Sequence, residues 1–156
     1  MVFDDGKLPL MIAGSLPRDI HLTVVTHSFA IASLTFEFPN VKLLFVGGTA
    51  SKSSQITTGA DVIKKYNSIY ADLSFLAVRN LHPEFGVTHS IVEEAEIKSR
   101  ISEMSTQLVA VTSPESLNTV STMHVCDSKQ IDYLVVDLDP HNPLLLPFLN
   151  TGISSV

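Results

Sequence analysis

The chain has 156 residues, 45% hydrophobic and 17% charged, and carries a formal net charge of -6 from 10 Lys and Arg against 16 Asp and Glu. That length and apolar content fit one domain with a full core and exclude a disordered tail; the acidic balance excludes a surface that neutralises a run of nucleic-acid phosphates. One cysteine, Cys126, excludes a disulfide framework and any multi-cysteine metal site, and the low charge content leaves room for an apolar surface covered by a partner.

The elements follow from the punctuation. Val2-Phe3 is a strand stub that ends at Asp4-Asp5-Gly6. Leu8 to Leu16 is predicted helical, with Pro9 in the first turn and Pro17 as the stop. His21 to Val25 is a β-branched strand leading into Thr26-His27-Ser28, and Ser28 is placed to cap a helix from Phe29 to Phe36. Val41 to Val46 is an almost continuous apolar run, the habit of a strand buried on both faces, and ends at Gly47-Gly48. Thr49 to Thr58 is rich in Ser and Thr with room for a short strand, and Gly59 precedes a helix over Asp61 to Tyr66.

Ala71 to Val78 is a further strand, followed by a loop carrying His82-Pro83 and Phe85-Gly86. The strongest helix comes next. Ser90 and Glu93 have capping-box spacing, Ile97, Ile101 and Met104 form an apolar stripe, and Glu94–Lys98 and Glu96–Arg100 are i,i+4 pairs in the favourable order. Thr106 to Val111 and Ile131 to Asp137 read as strands, His124-Val125 as a short one, Asn142 to Asn150 as a Pro-bounded helix, and Ile153 to Val156 as a last strand. The pattern is α/β: an open, mostly parallel sheet flanked by helices, in one domain over residues 1–156. In such sheets ligands bind beyond the carboxyl ends of the strands, so the loops to search are Asp4 to Lys7, Thr26 to Ser28, Gly47-Gly48, Asn80 to Glu94 and Thr112 to Glu115.

Each of these loops has a functional and a plain reading. Gly47-Gly48 lets backbone approach an anion closely, or is a tight strand exit. Thr26-His27-Ser28 sets two hydroxyls and an imidazole at a helix start, a place for an anion, or Ser28 only caps the helix. Glu93, Glu94, Glu96 and Lys98 offer carboxylates for sugar hydroxyls or a base beside a lysine, or form a solvated charged face. The six histidines show no metal-binding spacing, so a metal site would need long-range assembly. Cys126 reads as a buried, inert thiol. The Gly-rich signatures of dinucleotide and P-loop sites are absent, as is the Ser elbow of hydrolases, and neither a cofactor nor a catalytic residue is expected. No apolar run is long enough to span a membrane, and no basic leader opens the chain, which points to a cytoplasmic domain with no membrane partner. The apolar pattern starts at the second residue, as in a domain cut from a longer protein.

Taken in order, these pieces resemble the C-terminal effector-sensing domain of DeoR-type bacterial transcriptional regulators. The resemblance lies in Asp4-Asp5-Gly6 before a helix ending Leu16-Pro17, in Leu22-Thr23-Val24-Val25-Thr26-His27-Ser28, and in Leu44-Phe45-Val46-Gly47-Gly48 with Gly59 beyond it. It continues through Ala71-Asp72-Leu73-Ser74-Phe75-Leu76, Gly86-Val87-Thr88, Glu93-Glu94-Ala95-Glu96-Ile97-Lys98 and Ile131 to Asp137. It implies a fold similar to ribose-5-phosphate isomerase and CoA transferases, a phosphorylated sugar or related small-molecule effector, and a homo-oligomer. It also implies that DNA is bound only through a separate N-terminal winged helix-turn-helix, absent from this chain.

The sequence departs from the family pattern at several ligand positions. Lys7 and Leu8 stand where Thr-Thr is usual, His27 replaces an Asn, Ser51 sits where an Arg is frequent, and Thr112-Ser113-Pro114-Glu115 replaces a loop that ends in Lys. Lys7 is placed to substitute for that lysine or to pair with Glu115. The expected ligand-binding set is Asp4, Gly6, Lys7, Thr26, His27, Ser28, Gly47, Gly48, Glu93, Glu94 and Lys98, with Lys7 and Lys98 neutralising an anion and Asp4 and Glu94 accepting from hydroxyls. Two other readings stay open: an isomerase-like enzyme using Glu94 or Glu96 beside Lys98, and a degenerate sensor that only oligomerises.

Overall fold

The computed structural model describes residues 1–155. The chain opens with β1 (Val2–Phe3), α1 (Lys7–Gly14), β2 (Leu22–Thr26), α2 (Phe29–Thr35) and β3 (Val41–Phe45), followed by a hairpin of β4 (Thr49–Ser51) and β5 (Ile56–Thr58). Next come α3 (Ala60–Tyr66), β6 (Ala71–Ala77), β7 (Asn80–His82), β8 (Gly86–His89), α4 (Val92–Glu103) and β9 (Ser105–Thr112). The chain then runs through β10 (Met123–Cys126), β11 (Tyr133–Val136), α5 (Leu146–Leu149) and β12 (Ser154–Ser155).

Seven of these strands form one sheet in the order β12-β11-β9-β6-β1-β2-β3, and every pairing in it is parallel. The open α/β sheet expected from the sequence is therefore present. β1 shows how it holds together. Successive strand residues point to opposite faces. Val2 enters the core packed against α3 and α4, while Phe3 enters a smaller core with Ala13 of α1, Val24 and Ile31 of α2. Both are 0% exposed, and the Phe3 ring stacks on Phe75 at 4.8 Å.

From β1 the chain builds outward through β2 and β3, then crosses back to place β6 on the other side of β1. The strand order thus reverses between β1 and β6. The loops leaving these two strands diverge to opposite faces and open a crevice at their carboxyl ends, the place where open α/β sheets bind ligands.

Several local expectations are corrected. The run from Val41 to Val46 forms β3, which is an edge strand and not a doubly buried one; Phe45 is 36% exposed and leans on Phe29 at 5.4 Å. The segment around His82 and Phe85 is not a loop but the β7–β8 hairpin, which joins β10 in a three-stranded antiparallel sheet. Gly86 is required there: its φ is +69° and a Cβ would lie 2.1 Å from the Cys126 carbonyl oxygen. The polar stretch after Gly48 holds two short strands, β4 and β5.

α4 buries Ile97, Ile101 and Met104 as its stripe predicts. It starts one turn position later than the Ser90–Glu93 box requires, with Ile91 as N-cap and no side-chain cap. Neither predicted i,i+4 pair forms: Lys98 turns inward, and Arg100 pairs with Glu103. The stretch from Asn142 to Asn150 is a 3-10 turn over Pro143–Leu145 followed by α5, because Pro143 and Pro147 interrupt a longer helix. The last predicted strand is present as β12, and Val156 lies outside the described residues. Cys126 is buried, and burial pushes its thiol up to about 12. Among the described residues no helix is long and apolar enough to cross a membrane.

Candidate functional site

The site starts with the turn out of β1. Asp4 is 0% exposed, and its Oδ2 accepts the Ala77 N–H at 3.0 Å, which ties the ends of β1 and β6 together. α4 runs beneath this turn and presents Lys98 from its buried face. The Lys98 ammonium donates to Asp4 Oδ2, to Asp5 Oδ1 at 3.2 Å and to the Ala77 carbonyl at 3.2 Å. An ammonium has three N–H donors, so Lys98 is fully used.

A second buried chain joins from the other side. His27, just past β2, lies with Nε2 3.7 Å from Asp4 Oδ1, and its Nδ1 is 2.9 Å from the hydroxyl of Tyr66 on α3. His27 and Tyr66 are 1% and 0% exposed. The Thr26 hydroxyl accepts the Ser28 N–H at 3.1 Å, so it shapes the turn. Ser28 is the N-cap of α2 but makes no side-chain cap bond.

Burial and charge set the protonation here. Burial pulls Lys98 down, but Asp4 and Asp5 outweigh it and hold the ammonium above its usual range. Burial likewise raises Asp5, yet Lys98 and His27 more than offset it and bring the carboxyl to about 2. For Asp4 burial wins over Lys98 and pushes the carboxyl up to about 7. His27 is desolvated and pushed to about 4, which leaves a neutral imidazole at neutral pH, and burial holds the Tyr66 hydroxyl well above its usual range. Ligand atoms of Asp4, Asp5 and His27 lie within 4.8 Å of one another, a spacing that would suit a cation. The Lys98 ammonium already bridges both carboxylates, so this donor set does not fit a resident metal.

Above this cluster opens a cavity of about 510 Å³. Gly6, Lys7 and Arg79 come to it from the switch-point loops, Ser28 from the start of α2, Ser53 and Ser54 from the tip of the β4–β5 hairpin, and Glu94 from α4. Gly6 makes the turn into α1 with φ +109°. Glu94 is 5% exposed; its Oε1 accepts from the Ser54 hydroxyl at 2.6 Å, and its Oε2 lies 3.4 Å from His89 Nε2. His89 Nδ1 accepts the Ile91 N–H at 3.1 Å, so the ring proton is assigned to Nε2, facing Glu94. Burial lowers His89, which keeps it neutral at neutral pH.

Four of the expected residues, Gly6, Lys7, Ser28 and Glu94, therefore line the cavity. Asp4, Thr26, His27 and Lys98 lie buried beneath it. Glu93 lines a neighbouring cavity of about 270 Å³ that shares Ser53, Ser54, Ile91 and Glu94. Gly47 and Gly48 line neither cavity. A Cβ on Gly48 would lie 2.6 Å from Val62 and 2.7 Å from the Thr58 carbonyl, so that glycine serves close packing at the exit from β3. Glu96 faces a separate cavity of about 440 Å³ between α3, α4 and β10.

Sequence reasoning missed Arg79, Asp5, Ser54, His89 and Tyr66 as site residues. Arg79 lies two positions beyond the end of β6, just ahead of the loop taken to start at Asn80. Among the departures from the family pattern, Thr112 donates to the Val78 carbonyl at 2.8 Å and is structural, whereas Ser51 lines the smaller cavity. Glu115 is exposed, held below its usual range by the Ser113 hydroxyl, and forms no ion pair with Lys7 among the described residues.

The chain is similar to the HTH-type transcriptional regulator GolR of Listeria innocua, at 25% identity over 153 residues that cover 98% of the chain and 60% of that protein. It is similar to the HTH-type transcriptional repressor GlcR of Bacillus subtilis, at 24% identity over 78% of the chain and 47% of the relative. A third relative, the HTH-type transcriptional regulator GlpR of Haloferax volcanii, is 28% identical over 86% of the chain and 52% of that protein. The chain thus spans about half the length of these relatives. The DeoR C terminal sensor domain family matches residues 1–138, and the chain belongs to that family.

Proposed function

We propose that this chain is the effector-sensing part of a DeoR-type transcriptional regulator, and that the cavity over the switch point binds a small phosphorylated metabolite of the sugar-phosphate class. The observation that carries the reading is the cavity itself. It is lined by hydroxyls, the carboxylates of Asp5 and Glu94 and two cations, and it rests on a buried charge cluster that leaves no donor of Lys98 unused. The regulator acts as a homo-oligomer in the cytoplasm and contacts DNA through an N-terminal winged helix-turn-helix joined to this domain. Ligand shifts the population toward one arrangement of the oligomer, and that arrangement holds the DNA-binding domains differently.

The isomerase alternative uses Glu94 or Glu96 as a base beside Lys98. Glu94 does line the cavity, but Lys98 is committed to Asp4 and Asp5, and Glu96 faces a different cavity. The domain is on this reading a binder and not an enzyme. A thermal-shift screen of hexose and pentose phosphates tests it, because a ligand at 100 times its Kd adds about 2.7 kcal/mol of stability. At least one probe is expected to raise Tm without being converted. No stabilising probe would leave the oligomer-only reading, and turnover abolished by Glu94→Gln would establish the enzyme.

A further inference from the structure

We propose that the free edge of β3 is a homodimer interface: β3 pairs antiparallel with β3 of a second copy across a two-fold axis, and the exposed side of α2 packs over the joint. The proposal rests on the oligomer part of the reading above and adds which surface makes it; effector binding does not enter it.

β3 ends the seven-stranded sheet. The Val46 N–H donates to the Thr26 carbonyl at 2.8 Å, so the even-numbered residues turn their backbone groups toward β2. Leu43 and Phe45 then turn their N–H and C=O groups outward, toward no neighbouring strand. Such an edge is a template for another strand unless a bulge, a proline or a covering element blunts it. β3 keeps one register with β2 from Val41 to Phe45 and contains no proline. The Val41 N–H is already taken by the Phe38 carbonyl at 3.3 Å. A two-fold axis at Leu44 avoids that group and sets each Leu43 opposite the partner's Phe45, where the two residues exchange both N–H···O bonds.

The side chains extend the same surface. Val41 and Leu43 pack into the core under α2, and Phe45 on that face leans on Phe29. Phe36 follows Phe29 by seven residues, about two turns, and so lies on the same side of α2. Phe36 is 82% exposed and Phe29 39%. With Phe45 the three rings offer about 300 Å², over a third of the roughly 800 Å² that each partner gives to a stable interface. A two-fold contact sets this patch against itself, so apolar meets apolar. Lys42 is the one charged residue of the strand. The axis holds its two copies about 13 Å apart along the strands, beyond the screening length of about 10 Å at ordinary ionic strength. Gly47 has no left-handed backbone, and a Cβ there would meet nothing within the chain. In this pairing it faces the partner's Val41, where a bare backbone lets the strands approach.

Sedimentation equilibrium on wild type, Phe36→Lys and Phe85→Lys tests this, with amide hydrogen exchange followed residue by residue. Phe85 is 57% exposed on the β7–β8 hairpin and serves as the comparison. Wild type is expected to dimerise. Phe36→Lys is expected to weaken the dimer by about tenfold or more, and Phe85→Lys to leave it unchanged. In the dimer the Leu43 and Phe45 amides are expected to be protected, and in the dissociated Phe36→Lys variant to exchange freely while Lys42 and Leu44 stay protected by β2. Leu43 and Phe45 amides that exchange freely in a wild-type dimer overturn the inference, as does a dimer weakened equally by Phe85→Lys. A monomeric wild type overturns it too, and if that monomer still gains Tm from a phosphorylated sugar, the effector reading stands alone. The melting temperature of each variant verifies that it is folded.

Discussion

The floor and the rim of the cavity use cations in opposite ways. On the floor, Lys98 is 3% exposed and saturated by two carboxylates and a carbonyl. On the rim, Lys7 and Arg79 are exposed, with no partner carboxylate among the described residues. A buried lysine must be matched internally, or desolvation removes its charge. A rim lysine stays hydrated at little cost and is available to a ligand. Proximity to a site therefore does not make a cation a ligand-binding group; the floor holds the strand ends together, and on the proposed function it is the rim that reads what enters.

The largest expected effect breaks the floor. Lys98→Met leaves Asp4 and Asp5 buried without their cation, and urea denaturation should register a loss of about 3–5 kcal/mol. Lys7→Ala and Arg79→Ala, by contrast, should change the stability of the unligated protein by less than about 0.5 kcal/mol. Similar losses for floor and rim would dissolve the distinction.

The next effect is the pH dependence of the floor. Asp5 is held at about 2 against its ordinary 3.8, so its contribution is present above 3.8 and lost as pH falls toward 2. The loss is about 2 kcal/mol and should vanish in Asp5→Asn. His27, at about 4 against 6.5, gives stability that is present above 6.5 and lost as pH falls to about 4. Asp4, at about 7 against 3.8, gives stability that is present below 3.8 and lost as pH rises through 7. His27 and Asp4 thus oppose each other between about 4 and 6.5. Removing the imidazole in His27→Gln should leave a stability that falls as pH rises across that window, and a rising profile would contradict the assignment.

A smaller effect sharpens the floor's outer limit. Tyr66→Phe removes one buried hydrogen bond to His27, and a loss of about 1 kcal/mol is expected in the same denaturation assay.

How much of this was legible in the sequence follows from range. The sheet was readable because its strands are apolar runs bounded by Gly, Pro and Asp, a local signal. Parallel α/β topology then directed attention to Asp4, Thr26, His27 and Ser28 at strand ends. The partner of Lys98 was not readable: helix periodicity offered Glu94 four residues away, whereas the structure gives it Asp4, 94 positions distant. The buried cluster outcompetes a surface i,i+4 pair, whose contribution is a few tenths of a kcal/mol. Tyr66 was invisible for the same reason, being 39 positions from His27. β7 and β8 escaped because strands of three and four residues are too short to show alternation. β3 misled because apolar content alone does not separate a central strand from an edge strand whose side chains are half covered.

The most direct test of the account locates the ligand. Amide chemical-shift perturbation would be followed on the isotope-labelled protein while a stabilising hexose phosphate is titrated in. The account predicts saturable shifts at Gly6, Lys7, Ser28, Ser54, Arg79 and Glu94, around the cavity over the switch point. Shifts centred instead on Glu96, Arg100 and His124, around the cavity between α3, α4 and β10, would contradict it.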